Sequence, residues 1–343
     1  MTVSLVLSVV IGLAVSGRHG DGGGRAFGTV DKVVVGLSMD TLKEARWQSD
    51  RDLFVARAEA LGAKVLVQSA NSDDTRQIQD VKSLLANKVD VLVIVPHDGT
   101  AMAEGVRLAV EAGIPVIAYD RLILNCDLDL YLSFDNIKVG ELQAKYLADH
   151  LPKGKKRIVR LYGAPTDNNA KLFKQGQDNI LKPLIQRGEI QVAHEDWVAD
   201  WDPANAKKIM NAAITRVGNG FEGVLVSNDG SAGGAIQALK EAKLDGKVLV
   251  TGQDADLVAC QRIARGSQTM TIYKPVKRLA TRAAELAVAM GARKPVVANG
   301  ETPNGRRNVP SVLLEVLAVD RDNLRSTVVA DGFHKEEEVF SKD

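Results

Sequence analysis

"VDVLVIVPHDGTAMAEGVRLAVEAGIPVIAYDR", residues 89–121, decides how the fold is read. Its first eight residues, 89–96, form an apolar, valine-rich run of strand length. A helical pattern follows near 101–112, and then "IPVIAYD" (114–120), a second apolar run. Two such strands joined by a helix predict a βαβ unit and a parallel sheet. The second run stops on an acid and a base side by side, Asp120 and Arg121. A buried strand gives no reason for that pair.

The same unit repeats outward in both directions. Upstream lie strand 32–38, an amphipathic helix over 51–63 that ends at a glycine, strand 64–70 and helix 75–88. Downstream, "LYLSFDN" (130–136) leads into a helix beginning near Val139. Strands then alternate with helices: "RIVRLYG" (157–163), 170–187, "EIQVAHEDW" (189–197), 203–216, "GVLVSND" (223–229) and 231–242. "KVLVTGQD" (247–254), a helix over 256–265 and "TMTIYKP" (269–275) complete the series. The pattern falls into two similar α/β halves split near Phe134, and 343 residues suit about two domains.

Composition excludes several functions. Lys and Arg number 44 and Asp and Glu 43, so there is no basic excess to bind nucleic acid or a membrane surface. The two cysteines, Cys126 and Cys260, form no CxxC pair and have no zinc-ligand spacing; free thiols are expected rather than a disulfide. "SLVLSVVIGLAVSG" (4–17) is too short for a membrane span and reads as an export signal, although no Lys or Arg precedes it. The glycine-rich stretch 20–28 reads as a linker, and residues 336–343 as a charged, exposed tail.

The strand ends carry the chemistry. "VIAYDR", "VLVSND" and "VLVTGQDAD" are three apolar runs that each finish on Asp or Asn. In open parallel sheets, ligands bind beyond the carboxyl ends of the strands. Helix capping also explains single residues of this kind, Asp229 among them, and a local ion pair would explain Asp120 with Arg121. Asp120, Arg121, Asn228 and Asp254, with "DNNAK" (167–171) and Lys274, form a set of carboxylates, amides and cations. Such a set suits a sugar, whose hydroxyls each donate and accept. "NDGSAGG" (228–234) lacks the lysine and spacing of a phosphate loop. Trp47 and Trp201 fall in polar segments beyond strand ends, placed to stack on a sugar face, whereas Trp197 reads as a core residue.

Several motifs occur in a shared order: "ARWQSDRDLFVARAEALGAKVLVQSAN", "VIAYDR", "LSFDNIKVGELQAKYL", "TDNNAKLFKQGQ", "VSNDGSAGGAIQAL", "GQDADL", "TMTIYKP" and "DGFHKE". Together they resemble the periplasmic D-xylose-binding proteins, the substrate-binding components of sugar ABC transporters in the ribose/galactose-binding class. The resemblance covers nearly all of 32–336. It implies an α/β periplasmic-binding-protein type I fold with two Rossmann-like lobes, a ligand cleft and three hinge crossings, near Phe134–Asp135, Pro275 and Pro310. The first lobe would then be 31–134 with 276–310, and the second 135–275 with 311–335. Carried over by position, Arg46 and Trp47 match the first-loop contact and stacking residues, and Asp120 with Arg121 the pair that clamps sugar hydroxyls. Asn168 or Asn169 stands in the next contact loop, and Trp201 is the second stacking face. Asn228, Asp254 and Lys274 complete the second lobe's contacts.

That resemblance implies an exported, periplasmic, monomeric protein that closes on a monosaccharide, D-xylose foremost, with D-glucose, L-arabinose and D-ribose as alternatives. Its partners would be a membrane permease and a chemoreceptor; no cofactor and no metal are implied. Asp120 and Arg121 are expected to pair with each other when the site is empty. A sugar-responsive regulator would need a helix-turn-helix where the sequence is apolar and then glycine-rich. A sugar-processing enzyme would use Lys274 as a Schiff base or Asp120 with Asp254 as acid and base, yet no nucleophile–base–orienter set stands out.

Overall fold

The computed structural model describes residues 32–341 apart from Lys155. The apolar run 4–17 and its reading as an export signal lie outside the described residues. Among those described, no helix is long and apolar enough to cross a membrane.

The chain opens with β1 (Val34–Met39), α1 (Ala45–Ala60), β2 (Lys64–Ser69), α2 (Asp74–Ala86), β3 (Val91–Ile94), α3 (Ala103–Glu111), β4 (Val116–Tyr119) and β5 (Leu130–Phe134). It continues through α4 (Asn136–His150), β6 (Lys156–Tyr162), α5 (Asn168–Gln186), β7 (Ile190–Trp197), α6 (Pro203–Val217) and β8 (Gly223–Val226). Then come α7 (Asp229–Glu241), β9 (Leu249–Val250), α8 (Leu257–Arg265), β10 (Met270–Tyr273) and α9 (Val276–Gly291). The hairpin β11 (Gly300–Pro303) and β12 (Asn308–Leu314), then β13 (Leu317–Asp320) and α10 (Glu336–Val339), finish it.

Two compact units result. Among the described residues, the first comprises 32–42, 50–133 and 279–313, and the second 43–49, 134–278 and 314–341. Residues 43–49 therefore group with the second unit, whereas the resemblance kept them in the first lobe. The reason is visible at Arg46, which is ion-paired to Asp254.

The first unit is built on a sheet of order β11-β12-β5-β4-β3-β1-β2, parallel from β2 to β5 and ending in the antiparallel β11–β12 hairpin. Every residue of β3 and β4 is fully buried or nearly so, which requires cover on both faces of the sheet. Val81 and Leu84 of α2, Val106 of α3 and Met102 just before α3 belong to that core. Each such side chain contributes about 1.5–3 kcal/mol by its removal from water.

In the second unit β7-β6-β8-β9 form a parallel sheet, and β10 pairs antiparallel with β13 in a separate two-stranded sheet. The strand expected over 247–254 is regular only at Leu249 and Val250, although Thr251 keeps a backbone bond to Val224, and Gly252 and Asp254 keep theirs to Ile272. Helices α4 and α5 approach through glycine: a Cβ on Gly140 would lie 2.0 Å from the Phe173 carbonyl oxygen, and one on Gly176 2.0 Å from that of Ile137. The tail is not wholly exposed. Its glutamates face water, but Val339 is buried with Phe340 against it, in a cluster with Cys260 and Ile263 of α8.

Five of these helices begin on capping side chains. Asp73, Asp135, Asp167, Asp202 and Asn228 each accept a backbone N–H from the first turn of the following helix. Cys126 and Cys260 are buried and free, one in each unit. Burial raises both thiols, Cys126 to about 12.

Candidate functional site

In the first unit, Asp120 follows the last residue of β4, and no helix comes next for it to cap. The chain makes a three-residue turn closed by the Arg121 N–H on the Tyr119 carbonyl at 2.8 Å. Asp120, at its centre, has φ of 64°, a left-handed conformation costly for a residue with a side chain. The turn is held from outside: Ser133 Oγ and Tyr131 Oη both donate to the Asp120 carbonyl, at 2.6 and 3.0 Å. Strain so tightly imposed marks a place where side-chain direction matters.

The acid that meets the Arg121 guanidinium is Asp40, at the end of β1. Nη1 donates to Asp40 Oδ2 at 2.7 Å and to the Pro96 carbonyl at 3.1 Å. The first of these bonds runs between strand ends far apart in sequence, Asp40 after β1 and Arg121 after β4. His97 Nδ1 lies 3.0 Å from Asp40 Oδ1. Burial alone would raise the Asp40 carboxyl, but the His97 bond and the Arg121 charge outweigh it and hold the group below its ordinary value. The bond to Asp40 in turn raises His97. Buried Gln77 of α2 fixes this strand end, donating to the Val95 carbonyl at 2.8 Å and accepting from the His97 N–H at 2.9 Å. Asp40 carries the same strand-end signal as Asp120, "VVVGLSMD", and was legible on that ground; His97 had no such signal.

The second unit gathers Arg46, Trp47, Trp201, Asn228 and Asp254 around a shallow recess of about 50 Å³, joined by Glu44, Gln253 and Asp256. Asp254 Oδ1 takes Lys274 Nζ at 2.8 Å and Arg46 Nη1 at 3.3 Å, so one carboxylate sits between two cations. Lys274 is almost fully buried, its ammonium 5.6 Å from the Phe134 ring centre. Asn228 is the N-cap of α7: its Oδ1 accepts the Ser231 N–H at 3.0 Å, which leaves its amide N–H₂ as the group available to a ligand. Both the capping and the recess-lining roles thus fall on Asn228.

Trp47 lies in the first turn of α1 and is buried, with the Arg46 guanidinium 4.4 Å from its ring centre. Trp201 ends a short turn in the left-handed conformation, φ 56°. Its indole lies over Gly163, where a Cβ would come within 1.9 Å of the ring, and its Nε1 donates to Asp167 at 3.2 Å. Trp197, expected in the core, is only half-buried on the edge strand β7, 4.9 Å from the Tyr162 ring. Asn168 is half-buried at the start of α5; Asn169 is buried and accepts from Asn136 Nδ2 at 2.9 Å, and neither lines the recess.

Asp229 is neither cap nor recess residue. It is buried beneath the recess and accepts from Gln268, Thr271 and the Asp256 N–H. Burial and the Asp256 and Asp254 charges hold its carboxyl well above the ordinary carboxylate range, against the pull of Arg262 and the bond from Gln268. A larger open groove of about 580 Å³ lies along α6 and α7 by Lys207, Lys208 and Gln237, but its lining includes no buried charged side chain. The recess, with convergent charges and left-handed residues at Trp201 and Asp254, is the better candidate.

A model of the periplasmic binding protein domain matches residues 35–295. The chain belongs to the periplasmic binding protein family. It is 51% identical over 306 residues to the D-xylose-binding periplasmic protein of Haemophilus influenzae, covering 89% of this chain and 92% of that one. With the D-xylose-binding periplasmic protein of Escherichia coli the identity is 49% over 308 residues, covering 90% and 93%. Among solved structures, a carbohydrate transporter solute binding protein from Chloroflexus aurantiacus in complex with D-glucose superposes with a TM-score of 0.85 at 31% identity, covering 90% of this chain and 98% of that one. The α/β fold is therefore the type I fold of periplasmic binding proteins, and the family is one of binding proteins rather than enzymes.

Proposed function

We propose that this periplasmic binding protein captures a monosaccharide, D-xylose foremost, and hands it to the membrane permease of an ABC transporter from the periplasmic side. The observation that carries the reading is identity of about half over nine-tenths of the chain with two D-xylose-binding periplasmic proteins. The chemistry at the strand ends agrees with it. Asp120 and Arg121 in one unit, and Asn228, Asp254, Lys274 and Arg46 in the other, offer acceptors and donors suited to ring hydroxyls. Trp47 and Trp201 offer aromatic faces for the C–H side of the sugar. Asn168 and Asn169 belong to the proposed set with a weaker claim. The two units are the proposed lobes; sugar binds their closed form better and so shifts the population toward it. The protein acts as a monomer, and presentation to a chemoreceptor is a second use of the same loaded form.

The test is a calorimetric titration with D-xylose, D-glucose, L-arabinose and D-ribose, with tryptophan fluorescence followed in parallel. One-to-one binding of D-xylose in preference to the others, with the sugar recovered unchanged, is the expected result. Preference for another sugar corrects the substrate; no binding by any of them ends the reading. Asp120→Ala should weaken D-xylose binding by roughly tenfold or more, the scale of one lost hydrogen bond to a charged group.

A further inference from the structure

The deepest carboxylate of the second unit has no place in the contacts proposed above. Asp229 is 1% exposed and directly follows the capping residue Asn228. Its Oδ1 accepts from Gln268 Nε2 at 2.7 Å, and its Oδ2 from Thr271 Oγ1 at 2.9 Å and from the Asp256 N–H at 3.0 Å. The direction of each bond is set by a neighbour. Gln268 Oε1 takes Arg262 Nε at 2.9 Å, which turns the Gln268 amide N–H₂ toward Asp229. Thr271 Oγ1 accepts the Ala255 N–H at 3.2 Å and donates its own hydrogen to Asp229. Asp229 meets three donors, and none of its bonds requires a proton from it.

These bonds converge on the loop 252–256. Asp254 and the next residue, Ala255, have φ of 97° and 54°, two consecutive left-handed residues that each carry a side chain. The three successive amides of that turn are all engaged: Asp254 N–H on the Ile272 carbonyl at 2.8 Å, Ala255 N–H on Thr271 Oγ1, and Asp256 N–H on Asp229. Successive amides in such a turn make a concavity suited to an anion. Here the third amide meets the Asp229 carboxyl, and the other two meet neutral oxygens of Ile272 and Thr271. The Asp229 N–H also donates to the Gln253 carbonyl at 2.9 Å, so the residue is tied to the loop from both its backbone and its side chain. Gly252 makes room for this, since a Cβ there would lie 2.0 Å from Asp229 Oδ1.

We infer that Asp229 is a positioning residue for sugar binding: an internal hydrogen-bond acceptor that holds the left-handed loop presenting Asp254 between Arg46 and Lys274. The inference rests on the reading that Asp254 contacts a monosaccharide; Asp229 itself touches no ligand. Asp229→Asn keeps the shape but sets an N–H₂ against the Gln268 donor or against those of Thr271 and Asp256. The Kd for D-xylose by calorimetry should rise by roughly tenfold or more, and amide hydrogen exchange over 254–256, read by mass spectrometry, should speed up. Thr271→Ser keeps the hydroxyl and should keep the wild-type Kd, whereas Thr271→Val should lose affinity; this pair serves if Asp229→Asn folds poorly. Val224→Ala, a core truncation in the same unit, should lower Tm and leave Kd unchanged, which separates positioning from general stability. Wild-type affinity and unchanged exchange in both Asp229→Asn and Thr271→Val overturn the inference. If the wild-type protein binds no sugar, the proposed function fails on its own, and the exchange readout alone decides whether Asp229 anchors the loop.

Discussion

Asp40 accepts from a guanidinium on one oxygen and faces an imidazole on the other, which makes His97 a pH-dependent support for the Arg121 side chain. Its bond to Asp40 lifts His97 above its ordinary 6.5, with Asp74 acting in the same direction. A raised histidine contributes stability that is fully present below 6.5 and is lost as pH rises through the folded value. Asp40 is held below 3.8, so its share is present above 3.8 and fails as pH falls through its lower folded value. The stability difference between wild type and His97→Gln, from urea denaturation, should therefore be largest between 3.8 and 6.5 and shrink above that window. A difference independent of pH would sink the coupling. Lys274 gives a second prediction at this scale. Asp254→Ala removes the carboxylate from a buried ammonium and should destabilise the protein by about 3–5 kcal/mol, as breaking a buried pair does. Asp254→Asn should cost less, because the amide oxygen still accepts.

At the level of elements, the site depends on close approaches that only glycine allows. Gly163, at the end of β6, lies directly under the Trp201 ring. Gly163→Ala should push the indole off its seat and break its bond to Asp167, shifting tryptophan emission and weakening sugar binding together. Emission and affinity both unchanged would show that the ring has another resting place. Gly176→Ala drives a methyl into the backbone of α4 and should destabilise the protein by about 1–3 kcal/mol, the usual range for overpacking, as measured by urea denaturation. The caps were legible, since Asp and Asn before helical runs have a local meaning. The early start of α1 was not. Trp47, Asp50, Phe54 and Ala58 are its buried positions, a helical spacing in which a tryptophan and a buried aspartate disguise the apolar stripe. Nor was the brevity of β9 legible, because "KVLVTGQD" has strand composition throughout.

For the whole molecule, each unit has its own buried core, and ligand binding is the term that should raise the stability of the native state above that of the empty chain. D-xylose at one hundred times its Kd should add about 2.7 kcal/mol, seen as a rise in Tm that a non-binding sugar does not produce. The sequence by itself determined the alternation of strands and helices, the two-part division of that pattern and the polar character of the strand ends. All of these follow from periodicity and composition within a few residues, which local sterics and burial translate into structure. Only the tertiary structure decided partners. Arg121 meets Asp40, 81 positions away; Arg46 meets Asp254 across 208 positions; and Asp229 proves to be a buried anchor instead of a cap. Strand order and turn direction set those meetings, and no local pattern carries that information, because a side chain's partner depends on which distant strand end the fold brings beside it.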